Sequence, residues 1–265
     1  MRLLAAHGLR PDTDLGQHFL LDENLVDLAV REGRVDPADT VLEVGAGLGV
    51  LTAALARAAG HVHAVELDRR LEPALREAVG GAANVTLHWG DALRMPLEEL
   101  RPPPTALVAN LPYAIATPLV VESLWRLPEV ERWCVMAQRE VVDRWLAPPG
   151  SRLYGAASAL LALTVEPIFR RRVGREVFAP RPRVDSALVA LRRIAPAPAD
   201  GVRGLVRAAF ATRRKTVANA LAAAGAEKGE VEAALAALGR PATARPEQLA
   251  PEELAVLAEA LRWTG

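Results

Sequence analysis

Short apolar runs alternate with helix-like segments along most of the chain. Runs typical of buried strands lie at 40–44, 61–67, 85–89, 105–109 and 132–137. Segments with apolar residues at helical spacing fit between them. This alternation predicts an α/β fold with a parallel, doubly wound sheet and helices on both of its faces.

The pattern of apolar positions changes in the last third of the chain. One more strand is predicted at 184–192, and the Pro/Ala-rich stretch 195–199 has the composition of a linker. From Val202 onward only helical patterns remain. We therefore predict two domains, an α/β domain at 1–195 and a small all-helical domain at 196–265.

Composition narrows the class of protein. The 265 residues include one cysteine, Cys134, so no internal disulfide can form, and its apolar neighbours predict a buried thiol. No apolar run approaches the ~20 residues needed to span a bilayer, and the N-terminus has no signal-peptide core. We expect a cytoplasmic protein that does not enter a membrane.

Charge is unevenly distributed, although the net charge is +0. The segment 170–215 holds 13 Lys or Arg and 3 Asp or Glu, a local net charge of +10. Such an excess is typical of a surface that meets a polyanion. The alternative is an ordinary solvated basic surface. We favour the polyanion because the rest of the chain carries the opposite excess.

A glycine-rich turn follows the first predicted strand and opens a helix. Gly45, Gly47 and Gly49 allow the backbone to approach a ligand closely. Glu66 ends the second strand, where a carboxylate can accept hydrogen bonds from ribose hydroxyls. NAD, FAD and S-adenosylmethionine (SAM) all suit such a loop, so these two signals leave the ligand open.

Asp91 and Ala92, after the third strand, begin to separate these ligands. A carboxylate at this point can accept the N6 amino group of a bound adenine, while apolar side chains cover the ring. The loops offer acids and no Lys or Arg, which suits a cationic sulfonium better than a pyrophosphate. We therefore predict SAM as methyl donor, and no metal.

The tetrapeptide after the fourth strand carries the strongest chemical signal. Asn110 and Leu111 lie at the sheet edge where ligands of such folds bind, and their side-chain and backbone oxygens can each accept one N–H of an adenine amino group. Such acceptance draws a poorly nucleophilic nitrogen toward tetrahedral geometry. Pro112 fixes the turn, and Tyr113 offers a face for an extruded base. The alternative is an ordinary β-to-α turn.

With these motifs in order, the chain resembles the ribosomal RNA small-subunit adenine N6,N6-dimethyltransferases along its whole length. Its opening Gly-Gln-His-Phe-Leu, its Pro-rich Val-Asp-Ser segment and its Arg-Arg-Lys-Thr segment are together specific to that family. The segments that carry the resemblance are 16–22, 41–52, 66–68, 90–93, 110–113, 138–141, 178–186 and 210–216. Ala114 and Ala156 depart from the residues that similar sequences usually have there, and Ala156 puts one RNA contact in doubt.

The resemblance implies a Rossmann-like methyltransferase domain and a set of site residues. The donor site would comprise His18, Leu20, Gly45, Gly47, Glu66, Asp91, Ala92 and Asn110. The catalytic set would comprise Asn110, Leu111, Pro112, Tyr113 and Phe178, with the target base between the two aromatic rings. The RNA contacts would include Arg181, Arg183, Arg213, Arg214 and Lys215, and the helical domain would contribute to RNA binding.

The implied product is N6,N6-dimethyladenosine at two adjacent adenines in the 3′-terminal hairpin loop of small-subunit rRNA. The expected partner is the immature 30S subunit, and we expect the protein to be a monomer with a role in subunit biogenesis. Three alternatives stay open at this point. The first is an antibiotic-resistance methylase of large-subunit rRNA, although such enzymes commonly have Ile at the position of Leu111. The second is a ribosome-assembly factor whose catalysis is dispensable. The third is an NAD-dependent dehydrogenase, which would leave the segment 110–113 unexplained.

Overall fold

The computed structural model describes residues 6–12, 15–212 and 214–264. Its strands alternate with helices as the apolar pattern predicts. The strands are β1 (Phe19–Leu20), β2 (Thr40–Val44), β3 (His61–Glu66), β4 (Val85–Trp89), β5 (Ala106–Asn110), β6 (Arg132–Gln138), β7 (Val165–Val173), β8 (Phe178–Ala179) and β9 (Ser186–Arg193). The helices are α1 (Glu23–Glu32), α2 (Val50–Ala58), α3 (Glu72–Val79), α4 (Ala116–Arg126), α5 (Arg139–Trp145), α6 (Ala156–Ala162), α7 (Asp200–Phe210), α8 (Val217–Ala223), α9 (Lys228–Ala237) and α10 (Pro251–Ala260).

Seven of the described strands form one sheet in the order β4-β3-β2-β5-β6-β9-β7. Strands β2 to β6 pair in parallel, and their residues are mostly buried, as expected for a sheet covered on both faces. The predicted Rossmann-like fold class is thereby confirmed. The sheet is mostly parallel, and at one end β9 runs antiparallel to β6. An apolar strand pattern carries no information about strand direction, so the sequence could not show this.

Local capping groups fix both ends of the first helix, α1. The Asp22 carboxylate accepts hydrogen bonds from the backbone N–H groups of Asn24 and Leu25, and Gly33 ends the helix. Asp68 caps a short 3-10 turn, Arg69–Leu71, that leads into α3. Cys134 is fully buried in β6, as predicted, and burial raises the pKa of its thiol to about 12.

The chain divides into two compact units. One contains the described residues up to Val142 together with Pro167–Arg193, and the other contains Asp143–Glu166 and the described residues from Ile194. The division at 193–194 lies beside the predicted boundary at 195. The segment 143–166 lies in the predicted first domain but groups with the C-terminal helices, because its helix α6 contacts α7 and α10. From residue 194 onward the described elements are all helical.

A histidine pair joins β3 to β4. His63 Nε2 donates to the backbone oxygen of Pro102 at 2.9 Å, so the Nδ1 atom of the neutral ring is an acceptor, and it lies 3.0 Å from His88 Nε2. His63 is fully buried, and burial lowers the pKa of both rings. Protonating His63 would put two N–H groups opposite each other, so the folded state favours the neutral form.

This pair should make the fold sensitive to acid. A histidine whose pKa is lowered by folding contributes stability that is present above its unfolded pKa of about 6.5 and is lost as pH falls toward the lower, folded pKa. We expect the free energy of unfolding, measured with urea, to fall between pH 7.5 and 5.5, and His63→Gln to reduce that fall. His7→Gln, at the surface, is the matched control. An equal fall in wild type and His63→Gln would contradict this reading.

Candidate active site

A cavity of about 260 Å³ opens at the carboxyl edge of the parallel strands. Its wall is formed by the glycine turn after β2, the ends of β3 to β5 and the segment before β1. The predicted site residues that line it are His18, Leu20, Gly45, Gly47, Glu66, Asp91, Ala92, Asn110, Leu111, Pro112, Tyr113 and Phe178. The structure therefore brings the predicted donor and catalytic residues to one place.

The glycine turn is shaped by left-handed backbone angles. Gly45, Gly47 and Gly49 have φ of +80°, +56° and +78°, a region that other residues rarely adopt. A Cβ at Gly45 would lie 3.0 Å from the Pro112 Cδ atom. The donor loop and the tetrapeptide turn are thus in direct contact, which the sequence alone did not indicate.

Glu66 has a second task that sequence reasoning missed. Its Oε2 atom accepts the Gly47 N–H at 2.8 Å, and its Oε1 atom accepts the N–H groups of Leu67 and Asp68 at 2.8 and 2.9 Å. Burial raises the pKa of this carboxyl, and the three N–H donors oppose that rise. Because a carboxylate oxygen can accept two hydrogen bonds, Oε2 retains acceptor capacity for a ligand hydroxyl.

Removing the Glu66 carboxylate should therefore weaken donor binding. In Glu66→Ala the Gly47 N–H loses its acceptor and the ligand loses a partner, at a cost of about 1–3 kcal/mol, roughly ten- to a hundredfold in Kd. Glu66→Gln keeps one acceptor oxygen and should lose less. Calorimetry with SAM on folded protein measures both. An unchanged Kd in Glu66→Ala would remove Glu66 from the donor site.

Asp91 and Ala92 occupy the next strand end, after β4. Asp91 Oδ1 accepts the Leu93 N–H at 2.9 Å, and its Oδ2 atom lies 3.4 Å from Arg94 Nε. The carboxylate is partly exposed toward the cavity, and Ala92 is buried beside it. The Asp91 carboxylate can therefore accept a hydrogen bond from a ligand amino group at the rim of the cavity, and Ala92 can pack against an apolar ring face of the ligand.

The segment before β1 is tied to the sheet by its polar side chains. Gln17 Nε2 donates to Asp68 Oδ2 at 2.8 Å, and His18 Nδ1 donates to the Pro180 backbone oxygen at 2.7 Å. Phe19 and Leu20 pair with β8, so that Leu20 lies opposite Phe178. Sequence reasoning did not link Gln17 to Asp68, because a contact across 51 positions leaves no local pattern.

Asn110 is held in one orientation. It ends β5, and its Nδ2 atom donates to the His18 backbone oxygen at 3.2 Å. This bond uses the donor end of the amide, so the Oδ1 atom of this cavity-lining residue is left to act as an acceptor. Leu111 donates its backbone N–H to the Met136 oxygen at 3.0 Å, which fixes the turn to β6.

Two aromatic rings stand at the same cavity. Tyr113 is half-buried, its hydroxyl lies 3.0 Å from Ser186 Oγ, and its ring centroid is 5.7 Å from that of His18. Burial raises the pKa of the Tyr113 hydroxyl. Phe178 is almost fully buried within the wall. Ser186 belongs to one of the segments that carry the family resemblance, but its hydrogen bond to Tyr113 could not be predicted from the sequence.

The predicted RNA-contacting residues that the structure describes lie outside the cavity wall. Arg181, Arg183, Arg214 and Lys215 are exposed, and Arg213 lies outside the described residues. The first two belong to one unit and the last two to the other. Exposure and positive charge are what phosphate contacts require.

The lining of the cavity fits SAM better than a dinucleotide. Among the described residues it includes Glu43, Glu66 and Asp91 and no Lys or Arg. SAM carries an adenine, a ribose and a cationic sulfonium but no phosphate, so a lining with acidic and no basic side chains suits it.

No cluster of His, Cys, Asp or Glu that could hold a metal is found in the described part of the chain. The described helices include none long and apolar enough to cross a bilayer.

Comparison with known proteins relates the chain to one family. The profile of the ribosomal RNA adenine dimethylase family matches residues 8–249. A ribosomal RNA small subunit methyltransferase A of Rubrobacter xylanophilus is 48% identical over 96% of both chains, and one of Thermobifida fusca is 45% identical over 97% of this chain and 93% of its own.

Solved structures show the same fold. A dimethyladenosine transferase from Plasmodium falciparum has a TM-score of 0.75 at 24% identity, covering 91% of this chain and 96% of its own. The 23S rRNA methyltransferase ErmE has a TM-score of 0.67 at 29% identity, covering 92% and 99%.

Fold, cavity and comparisons together define a SAM-dependent methyltransferase with rRNA as its substrate. The dehydrogenase alternative is thereby excluded. The chain belongs to the ribosomal RNA adenine dimethylase family.

Proposed function

We propose that this protein transfers methyl groups from SAM to the N6 atoms of two adjacent adenines in the 3′-terminal hairpin loop of small-subunit rRNA, giving N6,N6-dimethyladenosine. The observation that carries the proposal is the fixed orientation of Asn110, whose Oδ1 atom is presented at the donor cavity beside Tyr113. The family relationship supports the same reaction.

The residues around the cavity divide the donor between them. Gly45 and Gly47 would receive the methionine part, and Glu66 the ribose hydroxyls. Asp91 would accept the adenine amino group, with Ala92 against the ring. His18 and Leu20 would cover the donor from the N-terminal side, a position supported by the tether between Gln17 and Asp68.

The target amino group would be activated by two acceptors. Asn110 Oδ1 and the Leu111 carbonyl oxygen each accept one N–H, which draws the nitrogen lone pair out of conjugation. Pro112 holds the turn, while Tyr113 and Phe178 hold the base. SAM supplies an electrophilic methyl group. The N–C bond forms as the S–C bond breaks, and the nitrogen, acidic once methylated, gives its proton to water, so no tuned general base is needed.

A second methylation needs room for the first methyl group. After one transfer the nitrogen keeps one N–H, so one of the two acceptors loses its partner. Ala114 lines the cavity and is exposed beside Tyr113. Its small side chain would add to the room available to a methylated amine.

A hairpin loop is a suitable substrate for this site. Its bases can be extruded cheaply, whereas bases in a duplex must first be unstacked. The basic residues between 170 and 215 would bind backbone phosphates, which supply affinity without reading sequence. We further propose that the protein meets the immature 30S subunit as a monomer in the cytoplasm, where it takes part in subunit biogenesis.

The basic cluster Arg213-Arg214-Lys215 should contribute to the salt dependence of RNA binding. Replacing all three with Gln should lower RNA affinity and reduce the slope of log K against log salt by up to about 0.9 per lost contact, the value for duplexes. Lys228→Gln, an exposed lysine on α9, is the control. An unchanged slope in the triple variant would make the cluster an ordinary solvated surface.

A large-subunit substrate is the alternative with a structural observation behind it, namely the likeness to ErmE. The small subunit is favoured because the relatives that carry that name are 48% and 45% identical over nearly the whole chain. A role mainly as an assembly factor gains no support from the site, since its predicted catalytic residues all line one cavity.

The experiment is to supply labelled SAM and unmethylated ribosomal subunits of both sizes, and then to map the labelled nucleotides. The proposal expects label in small-subunit rRNA, confined to two adjacent adenines of the 3′-terminal loop. Label in large-subunit rRNA would favour the resistance methylase. RNA binding without any label would favour the assembly factor.

A further inference from the structure

Glu43 is a carboxyl group sealed into the wall of the donor cavity. It lies in β2, directly before the glycine turn, and is 1% exposed. Its buried Oε2 atom has no close hydrogen-bond partner among the described residues, although the Thr52 hydroxyl lies near enough to the carboxyl to lower its pKa. Buried polar atoms are nearly always paired, so an orphaned carboxyl oxygen at a ligand cavity needs an explanation.

Burial holds this carboxyl in its protonated form in the chain alone. Desolvation raises the pKa of Glu43 to about 8, with the Thr52 hydroxyl opposing the rise and the neighbouring Glu66 carboxyl adding to it. The same low-dielectric surroundings strengthen its response to any cation that arrives nearby.

The other acids of the cavity are already engaged. Glu66 accepts three backbone N–H groups, and Asp91 accepts one and lies near Arg94. Among the described residues, the cavity wall contains no Lys or Arg that could pair with Glu43. Among the acids of this cavity, Glu43 is therefore the one whose ionisation depends on the charge of the bound ligand.

We propose that Glu43 changes its protonation state with the charge of the donor, losing a proton to water when cationic SAM binds and regaining one once the sulfonium has become a thioether. This inference rests on the proposed use of the cavity as a SAM site. It makes Glu43 a specificity-determining residue that favours the charged donor over the neutral-sulfur product.

The proton balance follows from the transfer. Formation of the N–C bond and cleavage of the S–C bond convert the sulfonium into a neutral thioether, and the methylated nitrogen releases its own proton to water. With the cation gone, desolvation again dominates at Glu43, which takes up a proton from water. Below about pH 8, the ratio of SAM to S-adenosylhomocysteine affinity should therefore rise with pH, by up to about tenfold per unit.

Calorimetry measures this exchange without any turnover. SAM and S-adenosylhomocysteine are titrated into the protein at pH 6.5 in two buffers of different ionisation enthalpy, so that the slope of the apparent enthalpy gives the protons exchanged. At this pH an α-amino group is mainly protonated. Wild type should release close to one proton more with SAM than with S-adenosylhomocysteine.

Two variants assign the proton. Glu43→Gln keeps the size of the side chain and cannot ionise, so the difference between the two ligands should vanish. Glu259→Gln, an exposed residue of α10, should behave as wild type. Equal proton release for both ligands in wild type, or a difference that persists in Glu43→Gln, would overturn the inference. The comparison of the two ligands in wild type tests the inference by itself, so the test remains valid even if Glu43→Gln does not fold. Absence of SAM binding altogether would instead contradict the proposed function.

Discussion

Asn110→Ala is expected to slow methyl transfer by a factor on the order of 10²–10³, comparable to losing one preorganised group of an oxyanion hole. The reason is that Asn110 Oδ1 would be one of two acceptors that draw the amino nitrogen toward tetrahedral geometry. Single-turnover assays on unmethylated small subunits, at saturating SAM, measure this rate.

The structure adds a second, smaller effect of the same substitution. Asn110 Nδ2 also bonds the His18 backbone oxygen, so its loss should loosen the N-terminal segment and weaken SAM binding by about 1 kcal/mol. Asn110→Asp keeps the acceptor oxygens but loses this donor, so it separates the effect on turnover from the effect on SAM binding. Asn219→Ala, on the exposed side of α8, is the control. Near-normal turnover in Asn110→Ala would contradict the mechanism.

Gly45→Ala should damage the donor loop and the catalytic turn together. Its φ of +80° strains any side chain, by roughly 1–2 kcal/mol. The new Cβ would also press on the Pro112 ring, 3.0 Å away. We expect the Kd for SAM to rise at least about tenfold and turnover to fall even at saturating SAM, because Pro112 carries the turn that presents Leu111.

Gly80→Ala provides the matched control for this prediction. Gly80 has a similar left-handed φ of +58°, but a Cβ there would meet nothing within 4 Å. It should show the backbone strain in its melting temperature and leave SAM binding and turnover unchanged. If Gly45→Ala behaved like Gly80→Ala, the contact with Pro112 would have no functional weight.

The sequence sufficed for the parts of the site that lie at strand ends. Glu66 and Asn110 are the last residues of their strands, and Asp91 follows the end of β4 by two residues. The carboxyl ends of parallel strands share one edge, so the meeting of these side chains at one cavity follows from topology. The glycine turn is equally local, since its left-handed angles require residues without a Cβ.

Contacts between distant segments could not be predicted. Glu66 holding Gly47, Gln17 holding Asp68 and Tyr113 bonding Ser186 all join residues far apart in the chain. Nothing in the spacing of apolar residues encodes such bonds. The antiparallel direction of β9 was missed for the same reason.

Mass spectrometry of the oligonucleotides released by ribonuclease from the 3′ end of small-subunit rRNA would show both the degree of methylation and its position. Unmethylated small subunits are incubated with excess SAM and either wild type or Asn110→Ala. We expect two N6,N6-dimethyladenosines per subunit with wild type, at adjacent positions, and almost none in the same time with the variant. A wild-type product that stops at N6-methyladenosine, or that appears equally fast with Asn110→Ala, would contradict this expectation.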